Sequence, residues 1–245
     1  MNLVADIGNT HTKLAWFDQG EIKESLRIVR QDSLNIHEIL GRRPVEMAIL
    51  SSVGMNSASL VQEFKKNFGK LIILDHNTLL PFRIRYKTPE TLGRDRIAGC
   101  AGALCLFPGS DILVMDMGTA ITLDFINASG EYLGGNISPG MHTRFRALNE
   151  FTANLPLIDS DSAFPRFGAD TRTAIAAGVQ QGILYELNGY MDDYAVRYPN
   201  CKFIVTGGDA GFFVSEFKRT IFALPDLVLT GLNFILEFNA SGGKL

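Results

Sequence analysis

Two short stretches of this chain set a carboxylate at the end of an apolar run and follow it with a glycine and a hydroxyl residue: LVADIGNTHT from Leu3 and LVMDMGTAIT from Leu113. Laid over one another they match Leu3 with Leu113, Val4 with Val114, Asp6 with Asp116, Gly8 with Gly118 and Thr12 with Thr122. An aspartate at a strand end followed by a glycine turn puts a cation-recruiting carboxylate beside backbone N–H groups that can receive phosphate oxygens. Asn9, Thr10, Thr119 and Thr122 add amide and hydroxyl partners. Two such turns facing one another across a cleft would hold a nucleoside triphosphate from both sides, its metal between Asp6 and Asp116. Taken singly, either aspartate is equally at home capping its own turn.

A third group is of another kind. Gly93, Asp95 and Arg96 precede the apolar stretch IAGCAGALCLF, which reads as a helix. A carboxylate at its start caps orphan amides and suits the helix dipole. The same carboxylate is placed to take the proton of a hydroxyl under attack on phosphorus. Arg96 offers a planar fork for a carboxylate, with a surface ion pair as the alternative. Tyr86 lies nine residues before Asp95, between Pro81 and Pro89, in a segment that reads as loop. His11, His37, His76 and His142 are scattered without a metalloprotease or triad pattern. No P-loop signature is present, and no GxGxxG follows a strand.

The elements that must carry these groups follow a repeating order. Strands are expected at Leu3 to Asp6, Thr12 to Asp18 and Glu21 to Val29. A helix at Ser33 to Leu40, a strand at Met47 to Leu50, a helix near Ser57 to Phe68 and a strand at Leu71 to Leu74 come next. The pattern restarts with strands at Ile112 to Asp116, Ala120 to Ile126 and Glu131 to Ile137, broken at Gly130 and Gly134 to Gly135. Helices at Gly140 to Phe151 and Asp170 to Arg197, a strand at Phe203 to Thr206 and two further helical stretches complete it.

At 245 residues, with 46% apolar and 20% charged residues, the chain has room for two modest cores. A net charge of −3 argues against a nucleic-acid surface, so any anion must be held by local groups. The opening MNLVADIGNT lacks the basic and apolar regions of a secretory leader, and no apolar run is long enough to span a bilayer. Cys100, Cys105 and Cys201 show no zinc spacing and read as buried free thiols of a reducing cytoplasm.

With these residues in view, the chain resembles the acetate kinase, sugar kinase, Hsp70 and actin superfold, and within it the type III pantothenate kinases. The resemblance rests on DIGNT at Asp6 to Thr10, YKTPETLGRDR at Tyr86 to Arg96, DMGTAIT at Asp116 to Thr122, GGNISPG at Gly134 to Gly140 and TGGDA at Thr206 to Ala210, in that order over nearly the whole chain. It implies an α/β fold of two repeated ribonuclease-H-like domains, 1–111 and 112–245, with mixed β-sheets flanked by helices and a nucleotide cleft between them. The implied activity is ATP-dependent phosphorylation of pantothenate to 4′-phosphopantothenate, the first step of coenzyme A synthesis.

The resemblance further implies that Asp6, Gly8, Asn9, Thr10, Gly118, Thr119 and Thr122 handle ATP phosphates, and that Asp6 and Asp116 hold Mg²⁺ or another divalent cation. Gly207 and Gly208 fall on the adenosine side. Lys13 joins the phosphate contacts by charge alone, a solvated strand lysine being the alternative. Asp95 becomes the catalytic base, with Tyr86, Gly93, Arg96 and Thr171 on pantothenate. At Thr171 the sequence departs from the family, with Ala169 where a basic residue is common and Asp170 where Asn is common. Thr171 would equally serve as part of a helix cap. A cytoplasmic homodimer activated by K⁺ or NH₄⁺, with no membrane or nucleic-acid partner, completes the expectation. The competing readings are a nucleotide-binding regulator or transcriptional accessory protein on the same fold, and a kinase for another small hydroxyl acceptor.

Overall fold

The computed structural model describes residues 1–8, 11–28, 41, 43–52, 58–160 and 164–244. In chain order its elements are β1 (Asn2–Ile7), β2 (Thr12–Asp18), β3 (Glu21–Ile28), β4 (Met47–Ser52), α1 (Ala58–Asn67), β5 (Leu71–Ile73), β6 (Arg83–Ile84) and α2 (Arg94–Leu106). Then come β7 (Ile112–Met117), β8 (Ala120–Ile126), β9 (Glu131–Pro139), α3 (Met141–Glu150), α4 (Thr171–Arg197), β10 (Lys202–Thr206), β11 (Phe222–Ala223) and α5 (Leu227–Ala240). The expected helix at Ser33 to Leu40 lies outside the described residues. In place of the first of the two late helical stretches there are single 3-10 turns, Ala210–Phe212 and Val214–Glu216. The two-residue strands β6 and β11 are too short to leave a periodicity in the sequence.

The chain forms two compact units, one of Met1–Gly109, Ser129–Leu133 and Asp226–Leu245, the other of Ser110–Ala128 and Gly134–Pro225. The first unit holds a five-stranded sheet in the order β3-β2-β1-β4-β5. Its hairpins β1–β2 and β2–β3 are antiparallel, while β4 lies parallel to both β1 and β5. Central β1 is buried on both faces, so it reads as a continuous apolar run, whereas edge strand β3 alternates exposed and half-buried residues. One face packs Leu3, Ala5, Ile7, Leu14, Trp16 and Leu50 against Phe64 and Phe68 at the end of α1. Helices α2 and α5 pack on each other, and α5 also lies on β1 and β4.

The second unit repeats the hairpin-first order. Strands β7 and β8 are antiparallel, β10 runs parallel to β7, and β11 parallel to β10. The sheet order is β11-β10-β7-β8-β9-β6, with β6 pairing only the start of β9, Arg83 opposite Glu131 and Ile84 opposite Tyr132. Helix α4 buries Ile175, Val179, Ile183, Leu187 and Met191 at four-residue spacing, against Leu113, Met115, Leu123 and Phe125. It begins at a capping box in which Asp170 Oδ1 accepts from Thr173 N at 2.9 Å and Thr173 Oγ1 accepts from Asp170 N at 3.1 Å. The cap is therefore Asp170, and Thr171 is left to face outward.

Among the described residues no helix is long and apolar enough to cross a membrane. All three cysteines are free. Cys100 is buried as expected, but Cys105 is exposed near the end of α2.

Candidate active site

In the first unit the register sets Asp6 on β1 between Lys13 of β2 and Ser51 of β4. Among the described residues the Asp6 Oδ1 atom is buried without a hydrogen-bond partner. Burial foremost, and then the negative charge of Asp95, push this carboxyl up to about 6, while Ser51 and Lys13 pull it back. Asp6 and Asp95, eighty-nine positions apart in sequence, thus stand within electrostatic reach of each other. The turn beyond Asp6 closes through Gly8 N donating to His11 O at 3.0 Å. Asn9 and Thr10, expected to touch phosphate, lie outside the described residues. Lys13 is paired in register with Arg27 of β3, and Arg27 Nη2 stands 3.3 Å from both ring nitrogens of His11. Partial burial, followed by the charges of Arg27 and Lys13, holds His11 below the ordinary histidine range. Two cations therefore flank this turn, only one of which the sequence pattern singled out.

The Gly93–Arg96 segment forms the start of α2. Gly93 occupies the cap position with no side-chain cap bond, so Asp95 sits one residue inside the helix rather than capping it. Its Oδ1 accepts from Arg96 N at 2.9 Å, and a β-carbon on Gly93 would come within 2.5 Å of that same oxygen. Glycine thus leaves room for the carboxylate to fold back over the helix start. Arg94 donates from Nη1 to the Ser52 carbonyl, tying this helix start to β4. Arg96 turns inward and is only 7% exposed; its Nη2 donates to Tyr132 Oη at 3.0 Å. The Tyr86 ring meets the edge of Tyr132 with centroids 6.0 Å apart and planes at 60°. Gly93, Asp95, Arg96 and Tyr86 therefore share one locale, completed by Arg94 and Tyr132, neither of which carries a signal in the local sequence.

In the second unit Asp116 ends β7 opposite Thr122. The turn closes through Gly118 N to Ala120 O at 3.0 Å. Thr122 spends its hydroxyl proton on Asp124 Oδ2 at 3.1 Å, so toward any further group it presents oxygen lone pairs. Gly140, at the start of α3, donates its N–H to Thr119 O at 3.0 Å, and Thr143 Oγ1 donates to that carbonyl at 2.7 Å. Gly207 has φ of +98°, and a β-carbon there would meet Met117 O at 2.4 Å and Asp116 Oδ1 at 2.5 Å. Only glycine lets the chain pass so close to the carboxylate. Gly208 is open and exposed. Asp209 donates its N–H to Met117 O at 2.9 Å, and its carboxylate stands 3.7 Å from His142 Nε2 on α3. Burial pushes the Asp209 carboxyl up and His142 draws it down. Asp116, Gly118, Thr119, Gly207 and Gly208 are thus gathered at one end of β7. Thr171 lies elsewhere, on an apolar groove of about 900 Å³ between α3 and α4 with Ala147, Leu148, Phe151 and Ile175.

Strand–turn–strand repeats with an aspartate at each turn, on two mixed sheets flanked by helices, define the class: a two-domain fold shared with sugar kinases. A glucokinase from an Antarctic psychrotroph aligns over 96% of this chain and 98% of its own at a TM-score of 0.51, with 15% identity, a likeness of fold alone. A conserved Campylobacter jejuni protein assigned to the Baf family of transcriptional activators matches at a TM-score of 0.66 and 26% identity, over 98% of this chain and 99% of its own. The type III pantothenate kinase family model matches residues 2–193. The type III pantothenate kinase of Phocaeicola vulgatus is 44% identical over 239 residues, 98% of this chain and 99% of that protein. The chain belongs to the type III pantothenate kinase family.

Proposed function

We propose that this chain transfers the γ-phosphoryl group of ATP to the 4′-hydroxyl of pantothenate, with Asp95 as the general base. Family membership supports the reaction. The observation that carries the residue assignment is the place of Asp95 in the first turn of α2, where its carboxylate accepts from the backbone of the buried Arg96 and its charge raises Asp6 on β1. In the transfer the acceptor O–H bond breaks and its proton passes to Asp95. The acceptor oxygen bonds to the γ-phosphorus, and the bond from that phosphorus to its bridging oxygen breaks to leave ADP. Arg96 binds the acceptor's carboxylate and Tyr86 packs on its body, with Gly93 giving the ligand room.

A divalent cation such as Mg²⁺ fits Asp6, whose buried oxygen lacks a donor among the described residues and whose charge is opposed by Asp95; Asp116 is the second ligand candidate. Mg²⁺ is commonly held by one or two carboxylates together with substrate phosphates. When bound it neutralises phosphate charge. Gly8, Asn9, Thr10 and Lys13 serve phosphates from the first unit, and Gly118 and Thr119 from the second; Thr122, its proton given to Asp124, serves them only once that bond is released. Gly207 and Gly208 lie along the adenosine. Activation by K⁺ or NH₄⁺, a homodimer, a contact of Thr171 with pantothenate, and a cytoplasmic location belong to the same reading.

Purified protein with ATP, Mg²⁺ and K⁺ is expected to convert pantothenate to 4′-phosphopantothenate, seen as the added phosphate mass. Folded protein that leaves pantothenate untouched while phosphorylating another alcohol would remove pantothenate from the assignment.

A further inference from the structure

Arg96 is a cation placed where burial is costly, and a guanidinium so enclosed needs partners for its N–H groups. One partner is the phenol of Tyr132, at 3.0 Å, on a side chain that is itself 0% exposed. Tyr132 stands at the second position of β9, the short stretch paired with β6. Arg85 N donates to Tyr132 O at 2.9 Å, and the Arg85 guanidinium pairs with neighbouring Glu131 at 2.6 Å. The brief β6–β9 ladder thereby fixes the backbone that carries the phenol, and the Tyr86 ring braces the phenol's edge.

We propose that Tyr132 is a positioning residue for the acceptor: its hydroxyl fixes the plane of the Arg96 guanidinium so that another N–H edge faces the acceptor's carboxylate. This rests on the reading of Arg96 as the carboxylate clamp. A planar fork discriminates by orientation, so a guanidinium that loses its bond to the phenol keeps its charge but has its paired geometry less firmly fixed. The effect should therefore appear only for acceptors that carry the carboxylate.

Tyr132→Phe removes the hydroxyl and keeps the ring that packs on Tyr86. With pantothenate its KM is expected to rise about tenfold, while kcat and the KM for ATP stay within about twofold. With a neutral pantothenamide, in which an amide replaces the carboxylate, the variant and the parent should have equal KM. Arg96→Ala tests the underlying reading, because it must abolish the preference for pantothenate over the pantothenamide. If Arg96→Ala keeps that preference, the clamp assignment fails. If Arg96→Ala loses it but Tyr132→Phe leaves the pantothenate KM unchanged, or weakens both acceptors alike, the positioning role is overturned. Arg96→Lys retains the charge on an ammonium that has no plane to fix, so it should show the same carboxylate-selective loss even if Tyr132→Phe folds poorly. A parental pantothenate KM in Arg96→Lys would equally overturn the proposal.

Discussion

Asp95 is one residue inside α2, and the cap position in front of it is filled by a glycine that makes no side-chain bond. Asp95→Asn therefore keeps an oxygen to accept from Arg96 N while removing the negative charge and the capacity to take a proton. A fall in kcat of roughly 10²- to 10⁴-fold is expected, with ATP affinity and the thermal midpoint little changed. Parental kcat in a folded Asp95→Asn protein would end its role as base. The placement of this residue at a helix start and of Asp6 near a strand end was legible because carboxylates there, followed or preceded by glycine, form short local patterns. Tyr132 and Arg27 left no such trace. Each gains its partner through distant folding or strand register: Tyr132 lies 36 positions from Arg96, and Arg27 reaches His11 across the β2–β3 hairpin.

Helices α2 and α5 meet through a pair of glycines. A β-carbon on Gly231 would come within 1.8 Å of Ala98 O and 2.6 Å of Gly102 N, and one on Gly102 within 2.3 Å of Leu227 O. These are backbone atoms, which cannot swing aside as a flexible side chain would. Gly231→Ala should therefore destabilise by about 1–3 kcal/mol through overpacking. Gly189→Ala, in the exposed middle of α4 with nothing within 4 Å, should instead stabilise by about 0.5–1 kcal/mol through the better helix propensity of alanine. Opposite shifts in thermal midpoint are the expected result; two shifts of one sign would refute the close-approach account.

The repeated hairpins were legible as elements but not in their register. The sequence superposition equates Thr12 with Thr122, yet Thr122 stands opposite Asp116 while Thr12 stands opposite Ile7 and Lys13 faces Asp6. The first turn is one residue longer, closing on the third residue after Gly8 where the second closes on the second after Gly118. Because side chains alternate faces along a strand, that single residue gives the two threonines different surroundings. Thr12 is wholly buried, and Thr122 only partly so.

For the molecule as a whole, each unit carries one of the two aspartate–glycine turns proposed to hold phosphate, and the net charge of −3 offers no general attraction for a polyphosphate. On that proposal affinity comes from local groups. Asp6→Asn and Asp116→Asn should each raise the Mg²⁺ concentration needed for half-maximal rate and lower turnover, with circular dichroism unchanged. Parental Mg²⁺ dependence in both variants would reduce these aspartates to turn residues. The second unit is also inserted within the sequence of the first, since α5, which covers β1 and β4, follows Pro225 in the chain. A nascent chain leaving the ribosome thus exposes one side of its earliest sheet until the inserted unit has been made. The later unit is free to fold first, while the earlier waits for its last helix. Interrupted synthesis before residue 227 should yield chains whose first sheet is open to chaperones and proteases.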